Sequence, residues 1–218
     1  MNDNIKLISI TQGAGDLIDK TAQEIIGYVT RVSNKKTQHN FETIPKLLKY
    51  RIDNQHWSPF EHAYMTVEIT TTRAIAAQIL RHRSFTFQEY SQRYSEAFDY
   101  EPQCARRQDV KNRQNSIDDL DDDTKQWFLD CQRQVWDLSH SLYEEALDKG
   151  ISKESARFLL PLNTTTTLYM TGSARSWIHY IAVRTDPTTQ YEHRVIADAC
   201  KEIFNTQFPH ISEALGWL

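Results

Sequence analysis

Met65, Val67 and Ile69 alternate with Thr66, Glu68 and Thr70, and this pattern runs without a glycine or proline into Arg73–Arg83 (RAIAAQILRHR). A period of two marks a half-buried strand. The Ala, Leu and Gln content of the next segment favours helix. Thr164–Thr171 is likewise β-branched and strand-like, and it leads into Ala174–Val183, a helix with Trp177, Ile178 and Ile181 on its apolar face. A strand is expected at Lys6–Ile10. Thr21-Ala22-Gln23-Glu24 has the form of a capping box opening a helix to about Val32, with Ala22, Ile25, Ile26 and Val29 on one side. Further helices are expected at Ile44–Ile52, at Thr124–Lys149 (stopped by Gly150), from Ser152 to before Pro161, and at Thr189–Phe208 with Val195, Ile196, Ala199 and Ile203 inward. Ile75, Ile79 and Leu80 should face the core. With no steady βαβ beat, the expectation is α+β: a single domain, 1–218, with a mixed or antiparallel sheet packed by long helices.

Other features narrow the function classes. A length of 218 residues can bury a sizeable core, and 11% aromatics argue against disorder. No apolar run reaches the roughly 20 residues that cross a bilayer. Met1–Ile10 lacks the apolar centre of a leader. Cys104, Cys131 and Cys200 are widely spaced and suit neither a disulfide framework nor a zinc knuckle, so the expected compartment is the cytoplasm. His56 and His62 match no common zinc spacing, and no metal is expected. A net charge of -4 disfavours general nucleic-acid binding. Gly13-Ala14-Gly15 is read as a turn, because Ile18 stands where a dinucleotide fingerprint needs its third glycine.

The densest polar segment runs from Gln78 through Arg81-His82-Arg83 to Glu89, Ser91, Arg93 and Tyr94. One reading is a cationic helix end interacting with the negative pole of the macrodipole. The other is an anion site. Arg81 and Arg83 have no acid nearby before Glu89, and Phe85, Phe87, Tyr90 and Tyr94 supply an apolar wall, which suits a phosphate joined to a flat ring system.

Arg81-His82-Arg83, seven residues and then Ser91 matches the R-H-R-x7-S signature of the flavin-dependent thymidylate synthases. The chain resembles that family also in His56-Trp57-Ser58-Pro59-Phe60-Glu61-His62, Ala156-Arg157-x3-Pro161-Leu162, Ala174-Arg175-Ser176-Trp177-x-His179 and Arg184-x-Asp186…Gln190-x-Glu192. The ordered blocks cover most of Val32–Phe208.

The resemblance implies FAD as cofactor, dUMP as substrate and dTMP as product. It also implies 5,10-methylenetetrahydrofolate as carbon donor, NADPH as reductant, and a homotetramer with shared active sites. Carried over by position, Ser58, Arg81, His82, Arg83, Glu89, Ser173, Ala174, Arg175 and His179 would contact FAD. Gln78, Ile79, Leu80, Arg81, Glu89, Tyr90, Ser91, Gln92, Arg93, Arg157 and Arg184 would surround dUMP, with Arg184 catalytic beside the uracil ring. Ser173 and His179 replace Asn of some members, and both still offer hydrogen-bonding groups. The segment Glu101–Asp123 aligns with no family block and is read as a variable loop.

Blander readings stand beside these. Arg157 could pair with Glu154 or with another chain's acid, and Arg184 could cap its helix or bridge to Asp186. Glu61 and His62 are read as ordering the loop after Pro59. Ser91 has no adjacent base and is read as positioning substrate rather than attacking it. Two competing functions remain: a cysteine-dependent nucleotide methyltransferase using Cys104, and a non-catalytic nucleotide- or RNA-binding module using Arg81, Arg83, Arg93, Arg106, Arg107 and Arg113.

Overall fold

The computed structural model describes residues 4–218; the first residues of the segment read against a leader lie outside this range. Its centre is a four-stranded antiparallel sheet in the order β1-β2-β6-β3, built from Ile5–Ile10 (β1), Tyr64–Thr72 (β2), Thr86–Glu89 (β3) and Thr165–Ser173 (β6). β2 and β6 pair along their whole length, from Tyr64 opposite Ser173 to Thr72 opposite Thr165. The alternation read in the sequence explains the layering. Met65, Val67, Ile69, Leu168 and Met170 are fully buried on one face, while Thr66 meets Thr171 and Thr70 meets Thr167 through their hydroxyls on the other. The expected α+β class is what the chain forms.

Helices cover the apolar face: Ala22–Thr30 (α1), Ile44–Asp53 (α2), Arg73–Ile79 (α3), Ala174–Arg184 (α6), Tyr191–Gln207 (α7) and Pro209–Ala214 (α8). Thr21 and Glu24 close the expected capping box at α1. Asp122–Asp148 (α4) follows a two-strand hairpin, Arg107–Gln108 (β4) with Ser116–Ile117 (β5), inside the stretch read as a loop. Lys153–Ala156 (α5) precedes β6. No helix among the described residues is long and apolar enough to cross a membrane.

Three expectations need correction. The helix expected over Arg73–Arg83 stops at Ile79, so Arg81, His82 and Arg83 lie in a turn and Leu80 is 37% exposed rather than in the core. A short strand, β3, follows that turn where none was expected. The inward face of α7 carries His193, Ile196, Ala197, Cys200 and Phe204, whereas Val195, Ala199 and Ile203 are only partly buried.

Candidate active site

The turn between α3 and β3 is pinned by Phe85. Its ring packs edge-on to Trp177 at 4.9 Å and to Tyr180 at 5.9 Å. A Cβ at Gly172 would stand 2.4 Å from that ring, so only glycine on β6 admits it. Ser84 is tied in as well, its carbonyl accepting from the Ser176 hydroxyl at 3.1 Å. The anchored turn holds His82 against α6, where the Arg184 Nε–H donates to His82 Nε2 at 2.9 Å and the His82 ring meets Tyr180 edge-on at 4.9 Å. Burial, then the charges of Arg184, His179 and Arg81, push the His82 ring down to about 4, so it is neutral near pH 7 and its Nε2 can accept. Arg184 does not bridge to Asp186, whose carboxylate accepts from the Thr188 amide and hydroxyl. Arg81 and Arg83 are exposed and form no ion pair among the described residues.

Two cavities share Trp57 and Arg175, and the larger of them reaches this turn at Ser84. One, of about 720 Å³, has an apolar wall of Trp57, Ile178, Ala182, Leu215 and Trp217 facing Glu61, Ser84, Arg175 and His179. The other, of about 620 Å³, contains Ser58 with the basic groups Arg51, His56, His62 and Arg175 and no acid. An apolar cavity wall beside a basic pocket fits a long cofactor made of a ring system and an anionic linker. Glu61 braces the junction by accepting from the Ser173 hydroxyl at 2.6 Å and from Arg175 at 3.0 Å. Ser173 itself is 2% exposed and caps α6, so its hydroxyl is committed to the fold, while Ala174 is fully buried behind it.

The remaining site residues gather at the other end of β3. Glu89 pairs with Arg73 at 2.8 Å and accepts from the Thr166 hydroxyl at 3.0 Å. Burial lowers the Arg73 guanidinium, Glu89 opposes that, and the nearby Arg157 charge adds to it. Arg93 takes Glu154 at 3.0 Å, so the carboxylate considered as a partner for Arg157 belongs to another arginine. Arg157 itself has no ion pair among the described residues. The Tyr90 hydroxyl donates to the Glu96 carbonyl, Ser91 is exposed, and the buried Gln92 Nε2 lacks a partner among the described residues. Ile79 is fully buried and adjoins Gln78, the residue at which α3 meets α7.

Sequence reasoning passed over Tyr180, His193 and the tryptophans of the apolar wall, because apolar-face residues look like core. The one signal was polarity out of place, a histidine three residues before Ile196 on the same helix face.

The family model described as thymidylate synthase complementing protein matches residues 16–210. A flavin-dependent thymidylate synthase of Synechocystis sp. is 60% identical over 193 residues, covering 88% of this chain and 89% of its own. A probable flavin-dependent thymidylate synthase of Paramecium bursaria Chlorella virus 1 is 52% identical over 214 residues, covering 98% and 99%. Among solved structures, the UMP/dUMP methylase PolB of Streptomyces cacaoi bound with 5-Br dUMP aligns with a TM-score of 0.82 over 97% of this chain and 94% of that one. At 23% identity this likeness speaks for the fold.

Proposed function

The chain belongs to the family of flavin-dependent thymidylate synthases, and we infer from that membership that it is a flavoenzyme converting dUMP to dTMP with FAD bound. The one-carbon unit comes from 5,10-methylenetetrahydrofolate and the reducing equivalents from NADPH. The chain acts as one domain, in a cytoplasmic homotetramer. The observation that carries the reading is the 2.9 Å contact of Arg184 with His82. It joins the arginine expected at the pyrimidine to the centre of the R-H-R turn expected at the flavin.

FAD, when bound, would supply the hydride chemistry. The residues of this chain do the positioning and the charge stabilisation. Arg81 and Arg83, exposed and without carboxylate partners among the described residues, would hold the diphosphate, and the apolar-walled cavity would take the ring. His82, uncharged, accepts one N–H of Arg184 and fixes the guanidinium plane, leaving the terminal N–H groups for the N3–O2 side of the pyrimidine. There a fixed cation stabilises the electron-rich form of the ring in which C5 attacks carbon. No serine or cysteine nucleophile is required. Burial pushes the Cys200 thiol up to about 12 and Cys131 is half-buried on α4, while Cys104, the cysteine weighed as a nucleophile, is exposed and lines neither cavity, which supports this reading over a thiolate mechanism.

Glu89–Arg93 and Arg157 stand at the far end of β3 from Arg184. At about 3.3 Å of rise per residue, β3 runs about 10 Å from Thr86 to Glu89 between the two sets. This supports pyrimidine sites completed between subunits. The test is the absorbance of the purified protein in the flavin bands, with and without dUMP, together with assay of dTMP formation. A protein that takes up no flavin when FAD is added, or forms no dTMP with all substrates present, overturns the proposal. A monomer mass for the active enzyme in light scattering overturns the shared site.

A further inference from the structure

A hydrogen-bonded relay of five side chains runs from the core of α6 to the start of α7. The Tyr180 hydroxyl lies 3.2 Å from His193 Nε2, and His193 Nδ1 lies 3.3 Å from Gln78 Oε1. Gln78 Nε2 is 2.5 Å from Gln190 Oε1, and Gln190 Nε2 is 2.9 Å from Glu192 Oε2. Tyr180 and His193 are both fully buried.

The direction of every bond in this relay is fixed twice. From one end, the Glu192 carboxylate only accepts, so Gln190 must offer it N–H and turn its carbonyl to Gln78. Gln78 then gives N–H to Gln190 and presents its carbonyl to His193, which must carry its proton on Nδ1. From the other end, the buried Tyr180 O–H has no second partner among the described residues, so it must donate to His193 Nε2. That again places the ring proton on Nδ1. Burial first, then the charges of Arg184 and His82, hold the His193 ring down at about 3, which keeps it in the neutral form this scheme needs.

An amide in a protein normally has two nearly isosteric orientations. Here, reversing Gln78 would set its NH2 against the His193 N–H and its carbonyl against the Gln190 carbonyl. One N–H of Gln78 and one lone pair of its carbonyl remain uncommitted, and the residue is only half-buried. The free N–H of Gln78, held in this sense, complements the O4 of uracil and leaves N3 and O2 to Arg184. Cytosine presents an amino group in place of O4, a donor facing a donor.

We propose that Tyr180 and His193, with Glu192 at the opposite end, are positioning residues that lock the Gln78 carboxamide in the sense that accepts a uracil edge and rejects a cytosine edge. The proposal rests on the reading of Gln78 as part of the dUMP site.

The double control predicts a non-additive pattern. Tyr180→Phe leaves the orientation held from Glu192, and Glu192→Gln leaves it held from Tyr180. Either single variant should keep most of the preference for dUMP over dCMP, while the double variant should lose it by tenfold or more. Dissociation constants for both nucleotides would be read from perturbation of the flavin spectrum of the FAD-loaded full chain. Retained flavin binding and unchanged circular dichroism would certify the fold. If the double variant is unstable, His193→Leu in combination with Glu192→Gln severs the relay at two points and should give the same loss. A wild-type protein that binds dCMP as well as dUMP overturns the proposal, as does a double variant with intact preference or losses that simply add. A wild-type protein that binds dUMP in none of these assays instead removes the functional reading on which the proposal rests.

Discussion

β2 and β6 are neighbouring strands of nine residues, and each ends in a hydroxyl side chain that caps a helix. Thr72 accepts from the Ile75 amide at 3.3 Å and opens α3; Ser173 accepts from the Ser176 amide at 3.3 Å and opens α6. Because the strands are antiparallel, the two helices leave from opposite ends of the pair. Beyond the caps they differ. α3 has 7 residues and releases the chain into an exposed basic turn, whereas α6 has 11, buries Trp177, Ile178, Tyr180 and Ile181, and ends on Arg184. Similar local chemistry therefore gives one short arm that displays charges and one long, packed arm that carries Arg184 at its end to meet them. The proposed site lies where the two arms touch, at His82 and Arg184.

Breaking the long arm should have the largest effect. Arg184→Ala should reduce dTMP formation by about 10²–10³-fold, the usual cost of losing one preorganised charge-stabilising group. Lys in its place should recover only part, since a point charge lacks the planar fork. Stopped-flow flavin reduction by NADPH without folate should continue, and an equal fall in both half-reactions would mean that Arg184 is structural. On the short arm, Arg81→Ala should weaken FAD binding by roughly 10- to 150-fold, the loss of one charge-assisted contact of about 1.5–3 kcal/mol. Titration of the apoprotein reads this directly, and unchanged affinity would reduce the turn to a helix end.

The anchor that separates the arms can be tested next. Gly172→Ala would drive a methyl into the Phe85 ring and should destabilise the protein by about 1–3 kcal/mol, as overpacked cores do, with a lower denaturant midpoint. The caps compare the junctions themselves. Thr72→Ala should cost about 0.5–2 kcal/mol, and Ser173→Ala more, because it also strips Glu61 of its 2.6 Å donor. Equal losses in urea denaturation would show that the Glu61 contact contributes nothing.

The smallest effect concerns pH. The folded chain holds His82 and His193 below the ordinary histidine value of about 6.5, at about 4 and about 3. The unfolded chain therefore binds more protons below pH 6.5. Stability is full above that value and declines as pH falls toward 4 and 3. For the fully buried His193 the first unit below pH 7 is worth under about 1 kcal/mol. His193→Leu should flatten the slope measured by denaturation at pH 7, 6 and 5.

Several elements were legible in the sequence because their signals are local. Alternation at 65–70 gave the strand, Thr21 and Glu24 gave the start of α1, and Arg81-His82-Arg83 with Ser91 pointed to the proposed site. The meeting of those residues with Arg184 was not local. Helix propensity carries on through Leu80 and Arg81, so nothing in that stretch announces that α3 stops at Ile79. The stop comes from Phe85, which buries its ring between Gly172 and Trp177 and forces the chain to turn back as β3. For α7, Val195, Ala199 and Ile203 made as good an apolar stripe as the one that is buried. Only packing against α3 and α6 turned His193 inward, where Gln78 and Tyr180 satisfy both of its nitrogens. Periodicity determined which segments are helix or strand. Where a helix ends, which face it buries and which polar groups become partners were decided by contacts between residues a hundred positions apart, and those depend on the assembled core.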